Sequence, residues 1–297
     1  MKHALEALLA RAVAAGVTAL PRRQSLAAGA ALGDVARRLG LRRAVAEANL
    51  VRAFPERGLA ERRAILVEHY RELGRVACEY PRLAELVHAA EGEVVAPPVG
   101  IEHLDAAAAL GRGVILLTGH YGNFELLGAW LGRRNPVDFV VKPLSNPRVE
   151  AMLALWRRGA GVGSIAIGAG AKRIFAALKQ KRWVAMLADQ DARRSGLFVP
   201  FLGVPSSTPP GPAAIALRTG APIVMGFCLR LEDGRHQLTV APPLLATGDG
   251  GPNAVRALTA AHAAVLEEWV RRHPAMWFWL HRRWKTPPPS PGEEGGA

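Results

Sequence analysis

Cysteine is nearly absent from this 297-residue chain, which has only Cys78 and Cys228. So sparse and distant a pair excludes a disulfide scaffold. It suits a reducing compartment, with both thiols as small buried hydrophobes rather than nucleophiles or metal ligands. Nucleotide-loop signatures are missing too. No Gly-x-x-x-x-Gly-Lys-Ser/Thr occurs, and the glycine-rich stretch 159–170 lacks Gly-x-Gly-x-x-Gly spacing. A Gly-x-Ser-x-Gly elbow is also lacking, which disfavours a serine acyl-enzyme. Nor is there a clean membrane-length apolar run. Leu5, Leu8, Leu9, Ala12, Val13, Val17 and Leu20 recur at helical spacing, but Glu6 and Arg11 interrupt them and Pro21 ends them. With no small-residue cleavage site following, residues 1–30 read as an interfacial membrane-associating helix. A weak single span and an ordinary soluble amphipathic helix are the alternatives.

Half of the chain is apolar, enough to bury a sizeable core, and its formal charge is +13. That charge attracts polyanions: anionic lipid headgroups, an acidic protein or nucleic acid. The arginines are scattered over predicted helices and loops, with no nucleic-acid reader motif among them, so no specific nucleic acid is expected. Aromatics are only 6% of the residues, yet Trp269, Trp277, Trp279 and Trp284 crowd one C-terminal stretch, which marks either an amphipathic surface or a buried anchor. Arg282, Arg283 and Lys285, interleaved with them, would face lipid headgroups in the first case and structural partners in the second.

The chain divides at Ala96-Pro97-Pro98. Before it, from 31 to 95, apolar residues at three- and four-residue spacing predict packed helices with basic outer faces. Beyond it, over 100–286, short apolar runs at Val114–Thr118, Phe139–Val141, Ser164–Ile167, Val184–Leu187 and Ile223–Cys228 alternate with helical or Gly/Pro-rich stretches. This predicts an α/β fold with a mixed, mostly parallel sheet flanked by helices, behind an N-terminal helical region. His236–Val240 reads as an antiparallel strand turned through Asp233-Gly234, Asn253–Arg272 as a long helix, and residues 287–297 as a disordered tail.

The chemistry-bearing motif is Thr118-Gly119-His120-Tyr121-Gly122-Asn123-Phe124-Glu125, directly after an apolar strand. Strand carboxyl ends are where open α/β sheets bind ligands. With Gly119 and Gly122 permitting a tight turn, His120 falls in the turn and Glu125 in the first turn of a helix. His120 is then expected as general base, with Glu125 orienting the imidazole; a purely structural histidine is the alternative. Asp189, after the strand Val184–Leu187, should reach the same crevice and pair with Arg157 or His120. Its neighbour Gln190 could hydrogen-bond an acyl carbonyl or a sugar hydroxyl. Asp189 and Asp191 alone are too few oxygen ligands to imply a metal, and none is expected. Phe198-Val199-Pro200-Phe201-Leu202 either lines an acyl channel or joins the core.

The motif resembles the His-x4-Asp/Glu signature of glycerolipid-type acyltransferases, and in its fuller form it is similar to the lipid A biosynthesis acyltransferase family. The resemblance spans about residues 30–286, through Asn49-Leu50 to Glu56, Lys142-Pro143-Leu144-Ser145-Asn146-Pro147, Asp189-Gln190, Gly196 to Gly203, Thr208 to Gly211, and Pro274 to Lys285. It implies transfer of a fatty acyl chain from a thioester, on acyl carrier protein or acyl-CoA, to a hydroxyl of an amphiphilic glycolipid such as a lipid A precursor, with no cofactor. A phosphoinositide mannoside, glycerolipid or aminolipid acceptor is the alternative. The implied place is the cytoplasmic face of the inner membrane, on an anionic surface, held peripherally or by one N-terminal anchor. By the same resemblance Arg157, with Arg158 not excluded, would hold an oxyanion or a phosphate, and His120, Glu125, Arg157 and Asp189 form the catalytic set. Asn123, Arg158, Gln190, Phe198 and Phe201 are expected to bind substrate.

Overall fold

The computed structural model describes residues 2–168, 170–248 and 250–289. Helices come first: α1 (Lys2–Ala19), α2 (Arg22–Arg38), α3 (Arg43–Ala53), α4 (Leu59–Glu79) and the short α5 (Leu83–His88). After α6 (Ile101–Ala109), strands and helices alternate as β1 (Val114–Thr118), α7 (Phe124–Leu131), β2 (Val137–Val141), α8 (Pro147–Gly159), β3 (Gly163–Ala166), α9 (Ala171–Lys179) and β4 (Trp183–Leu187). An antiparallel hairpin, β5 (Leu197–Phe201) and β6 (Val204–Thr208), then precedes α10 (Gly211–Thr219), β7 (Ile223–Arg230), β8 (His236–Val240) and α11 (Pro252–Arg272).

The six-stranded sheet runs β3-β2-β4-β1-β7-β8, parallel throughout except for the edge pair β7–β8. Its central strands are apolar because both faces are covered. Ile115 and Leu117 of β1 join a cluster with residues of α3, α4, α9, α10 and α11, while Val114 and Leu116 join another with α5, α6 and α7. The connections fix where a crevice opens. From β1 the chain turns through α7 towards β2 on one side, whereas from β4 it crosses β1 to reach β7 on the other. Loops that part in this way leave a gap above the carboxyl ends of β1 and β4.

Two expectations about surfaces change. Phe198–Leu202 is hairpin rather than channel wall: Phe201 is buried against Trp277 and Trp284, since β5 packs on α11, and Phe198 is half-buried. The C-terminal tryptophans are core residues, with Trp277, Trp279 and Trp284 all buried. Arg283, 1% exposed, donates to the Ser207 carbonyl and the Thr208 hydroxyl and so cannot meet headgroups, although Arg282 and Lys285 are exposed. The indoles are buried because the segment after α11 folds back over the turn that follows the central strand β1, where Trp277 bridges Tyr121. The expected tail from Pro287 falls mostly on 290–297, outside the described residues.

No helix among the described residues is long and apolar enough to cross a membrane. Helix α1 buries only Ala7 and Val17, and it leaves Leu5, Leu8, Leu9 and Val13 exposed. The Asn146 side chain, which caps α8, ties α1 down by donating to the His3 carbonyl and to Glu6.

Candidate active site

Strand register brings the two central groups together. Thr118 of β1 pairs with Leu187 of β4, so His120 and Asp189, each two residues past those ends, emerge side by side. The Asp189 carboxylate accepts three hydrogen bonds. Its Oδ1 takes His120 Nδ1 at 2.7 Å, and its Oδ2 takes the His120 backbone N–H at 2.8 Å and the Trp277 indole N–H at 2.9 Å. An Nδ1–H bound to a carboxylate leaves Nε2 as the free basic nitrogen. The Gln190 side-chain amide lies 3.4 Å from that Nε2.

Electrostatics sharpen the pair. Burial disfavours the imidazolium, yet the Asp189 carboxylate, by charge and hydrogen bond, and the Glu125 charge outweigh burial and hold the His120 pKa above its ordinary 6.5. Burial alone would raise the Asp189 pKa. The His120 charge, its two N–H groups and the Trp277 indole instead bring it from 3.8 to about 2.

The turn is built for close approach. Gly122 has φ +52°, and a Cβ there would lie 1.8 Å from the Cys228 carbonyl oxygen, so any larger residue would clash with β7. The returning C-terminal segment pins the turn through its backbone: Phe278 N–H donates to the His120 carbonyl and Gly122 N–H to the Met276 carbonyl, both at 2.9 Å. Asn123 then caps α7, its side-chain oxygen accepting the Leu126 N–H at 3.0 Å.

Glu125 does not contact His120 through a hydrogen bond. Its carboxylate is buried and accepts Arg157 Nε at 3.0 Å and Nη2 at 2.5 Å, with the Tyr80 hydroxyl donating at 2.9 Å. The orienting partner of the imidazole is therefore Asp189 rather than Glu125. The first turn of α7 points the Glu125 side chain down towards α8, where a forked guanidinium meets it. Arg157, spent on that pair, presents no free fork to an oxyanion or phosphate, and Arg158 is exposed on the neighbouring helix position. Asn123 is buried, with its amide turned to Glu79, so it faces the protein rather than a substrate. Asp191 pairs with Lys285 and Thr286.

Beside His120 opens an apolar cavity of about 560 Å³. Its wall comes from Leu9 and Val13 of α1, Leu73 and Val76 of α4, and Met152 and Trp156 of α8, with Phe124 and Phe278 flanking the imidazole. An imidazole whose Nε2 opens onto an apolar cavity suits a substrate with a long hydrocarbon chain.

Residues 2–286 match the model of the bacterial lipid A biosynthesis acyltransferases. The chain belongs to that family. A lipid A biosynthesis lauroyltransferase of Escherichia coli is 30% identical over 274 residues, covering 88% of this chain and 85% of that protein. A palmitoleoyltransferase of the same organism is 27% identical over 264 residues, 88% and 84% of the two chains. A phosphatidylinositol mannoside acyltransferase of Mycobacterium tuberculosis is 32% identical over 191 residues, covering 62% of this chain and 58% of that protein. The match thus spans little more than half the length of the mycobacterial relative and most of the length of the Escherichia coli ones.

In this member of the lipid A biosynthesis acyltransferases, the sequence pattern located His120, Asp189 and Gln190 at one crevice, and they meet there. It did not locate Tyr80 and Glu79, whose partners in and beside the first turn of α7 lie 45 and 44 residues downstream. Nothing local marks them beyond a Glu-Tyr-Pro at the end of a helix.

Proposed function

We propose that this protein moves a fatty acyl chain from a thioester, carried by acyl carrier protein or coenzyme A, to a hydroxyl of a lipid A precursor or related membrane glycolipid. The observation that carries the proposal is the His120–Asp189 pair, which leaves a basic Nε2 beside the apolar cavity. The acceptor O–H gives its proton to Nε2 as its oxygen attacks the thioester carbonyl. The C–O bond forms, the C–S bond breaks, and the imidazolium returns the proton to the leaving thiolate. Asp189 stabilises that imidazolium through charge and hydrogen bond. Gln190, the side-chain donor nearest Nε2, is assigned to the acyl carbonyl. Glu125 and Arg157 act beneath the turn as a buried pair that fixes α7 under His120.

The +13 charge supports an acidic carrier protein as donor and an anionic membrane as the place of work. The exposed leucines of α1 support an interfacial role for that helix alone, since the expected stretch 1–30 breaks at Pro21 and α2 packs on α4; α1 would hold the acyltransferase part peripherally on the cytoplasmic face of the inner membrane. A phosphoinositide mannoside acceptor is the second reading, favoured by the similarity to the mycobacterial enzyme.

The test incubates the purified chain with a radiolabelled acyl thioester and, separately, a lipid A precursor and a phosphoinositide mannoside. Ester product in one arm names the acceptor. His120→Ala should abolish it, and a variant with near wild-type turnover would remove His120 as the base.

A further inference from the structure

The end of α4 holds the catalytic turn at two points. Glu79, 1% exposed, sits at a convergence of donors: Arg230 reaches it at 2.7 and 2.9 Å, Arg22 at 2.9 Å, His236 Nε2 at 3.0 Å and the Asn123 amide at 2.9 Å. The next residue, Tyr80, points elsewhere because successive helical side chains diverge by about 100°. Its hydroxyl reaches Glu125 at 2.9 Å, and its ring lines the apolar cavity. Consecutive residues of one helix end thus grip positions 123 and 125, the cap and first turn of α7. The C-terminal segment and Asp189 grip 120–122 from the other side.

We infer that Glu79 and Tyr80 are a positioning pair for the acyl transfer proposed above, clamping the first turn of α7 so that His120 is presented to the cavity at a fixed angle. The inference rests on that functional reading for its role in turnover. The clamp itself rests on the contacts. A fully satisfied carboxylate at Glu79 makes a rigid anchor, since charge-assisted hydrogen bonds are the strong ones and several of them fix its position in a low-dielectric interior. The Asn123 amide and the Tyr80 hydroxyl carry that rigidity across to the turn. Because Tyr80 also borders the cavity, the seat of the acyl chain and the base are fixed by the same helix end.

Glu79→Gln would strand the Arg22 and Arg230 charges and endanger the fold, so the clamp is cut from its outer ends. Tyr80→Phe keeps the ring and removes one hydroxyl. Asn123→Ser keeps an oxygen to cap α7 and removes the amide that Glu79 accepts. Backbone amide hydrogen exchange over 123–127 and steady-state transfer would be measured for both variants. Losing one hydrogen bond to a charged group should speed exchange there about tenfold or more and lower kcat by a similar factor, with KM within about twofold. A merely structural role would lower the active fraction without speeding exchange in that segment alone. Unchanged exchange at 123–127, or kcat within about twofold of wild type in both variants, would overturn the pair. If the wild-type chain transfers no acyl group while Tyr80→Phe still speeds exchange, the acyltransfer reading fails and the clamp stands.

Discussion

Replacing Asp189 by asparagine tests the base assignment without changing the shape of the site. Two N–H donors, from His120 and Trp277, converge on Oδ2, whereas the imidazole alone faces Oδ1. The asparagine must place its oxygen at the Oδ2 position, since an NH2 there would confront two donors. Its NH2 then faces His120 Nδ1 and forces that nitrogen to accept. The ring proton moves to Nε2, the atom required as base, so the variant holds the wrong tautomer. Loss of this kind in a serine-protease triad lowers kcat about ten-thousandfold, and a fall of about a thousandfold or more, some 4 kcal/mol of barrier, is expected here. The residual activity should also lose its acid limb near the His120 pKa, because burial without the Asp189 charge depresses that pKa. Stability supplies a second readout. Asp189 is held below its ordinary 3.8, at about 2, so it stabilises the fold above that ordinary value by about 2 kcal/mol, and this is lost as pH falls through about 2. His120, raised above 6.5, stabilises below that value and loses its contribution as pH rises through its raised pKa. The variant should therefore be most destabilised between about pH 4 and 6.5. Thiol release by spectrophotometry and thermal unfolding across pH measure both. A variant that keeps a tenth of wild-type kcat would refute the tautomer argument.

Arg157→Ala leaves the Glu125 carboxylate buried with only the Tyr80 hydroxyl, and urea unfolding should show a loss of about 3–5 kcal/mol; a loss below about 1 kcal/mol would mean the pair is not the buried anchor described. Arg157→Lys, which cannot fork, should fall between the two. Ala14→Trp, in the half-buried part of α1 that lines the cavity, should shift product chains towards shorter acyl groups in mass spectrometry, and an unchanged length profile would place the chain elsewhere. Leu8 is 63% exposed, so Leu8→Glu should change stability by less than about 0.5 kcal/mol. The same variant should weaken sedimentation with anionic vesicles, and equal binding by variant and wild type would rule out α1 as the contact.

The sheet was readable from residues because its central strands are buried on both faces, and such strands stand out as short apolar runs: Val114–Thr118 matches β1 to the residue, and the other runs lie within a few positions of their strands. The β5–β6 hairpin was not. Pro200, Pro205 and a Gly203 turn disguise it, and its apolar side chains could equally have lined a channel. The C-terminal tryptophans misled through their neighbours: alternating Trp and Arg reads as a headgroup surface until the backbone is known to return over the turn after β1. Burial then turns Arg283 into a ligand for Ser207 and Thr208.

The exchange of partners between Asp189 and Glu125 has the same physical origin. Within one segment, sequence distance is the only guide to who meets whom, and it favoured the carboxylate five residues from His120 over one that is 69 residues away. A helix start reverses that preference. Once residue 123 caps α7, residue 125 lies in its first turn and points along the helix flank towards Arg157, away from the strand end that bears the imidazole. Strand order decides the rest: β4 inserts beside β1, and the register Thr118 to Leu187 carries two residues past each end, to His120 and Asp189. A strand order with β2 beside β1 would have left the imidazole without its carboxylate, so the dyad is a consequence of topology as much as of the motif.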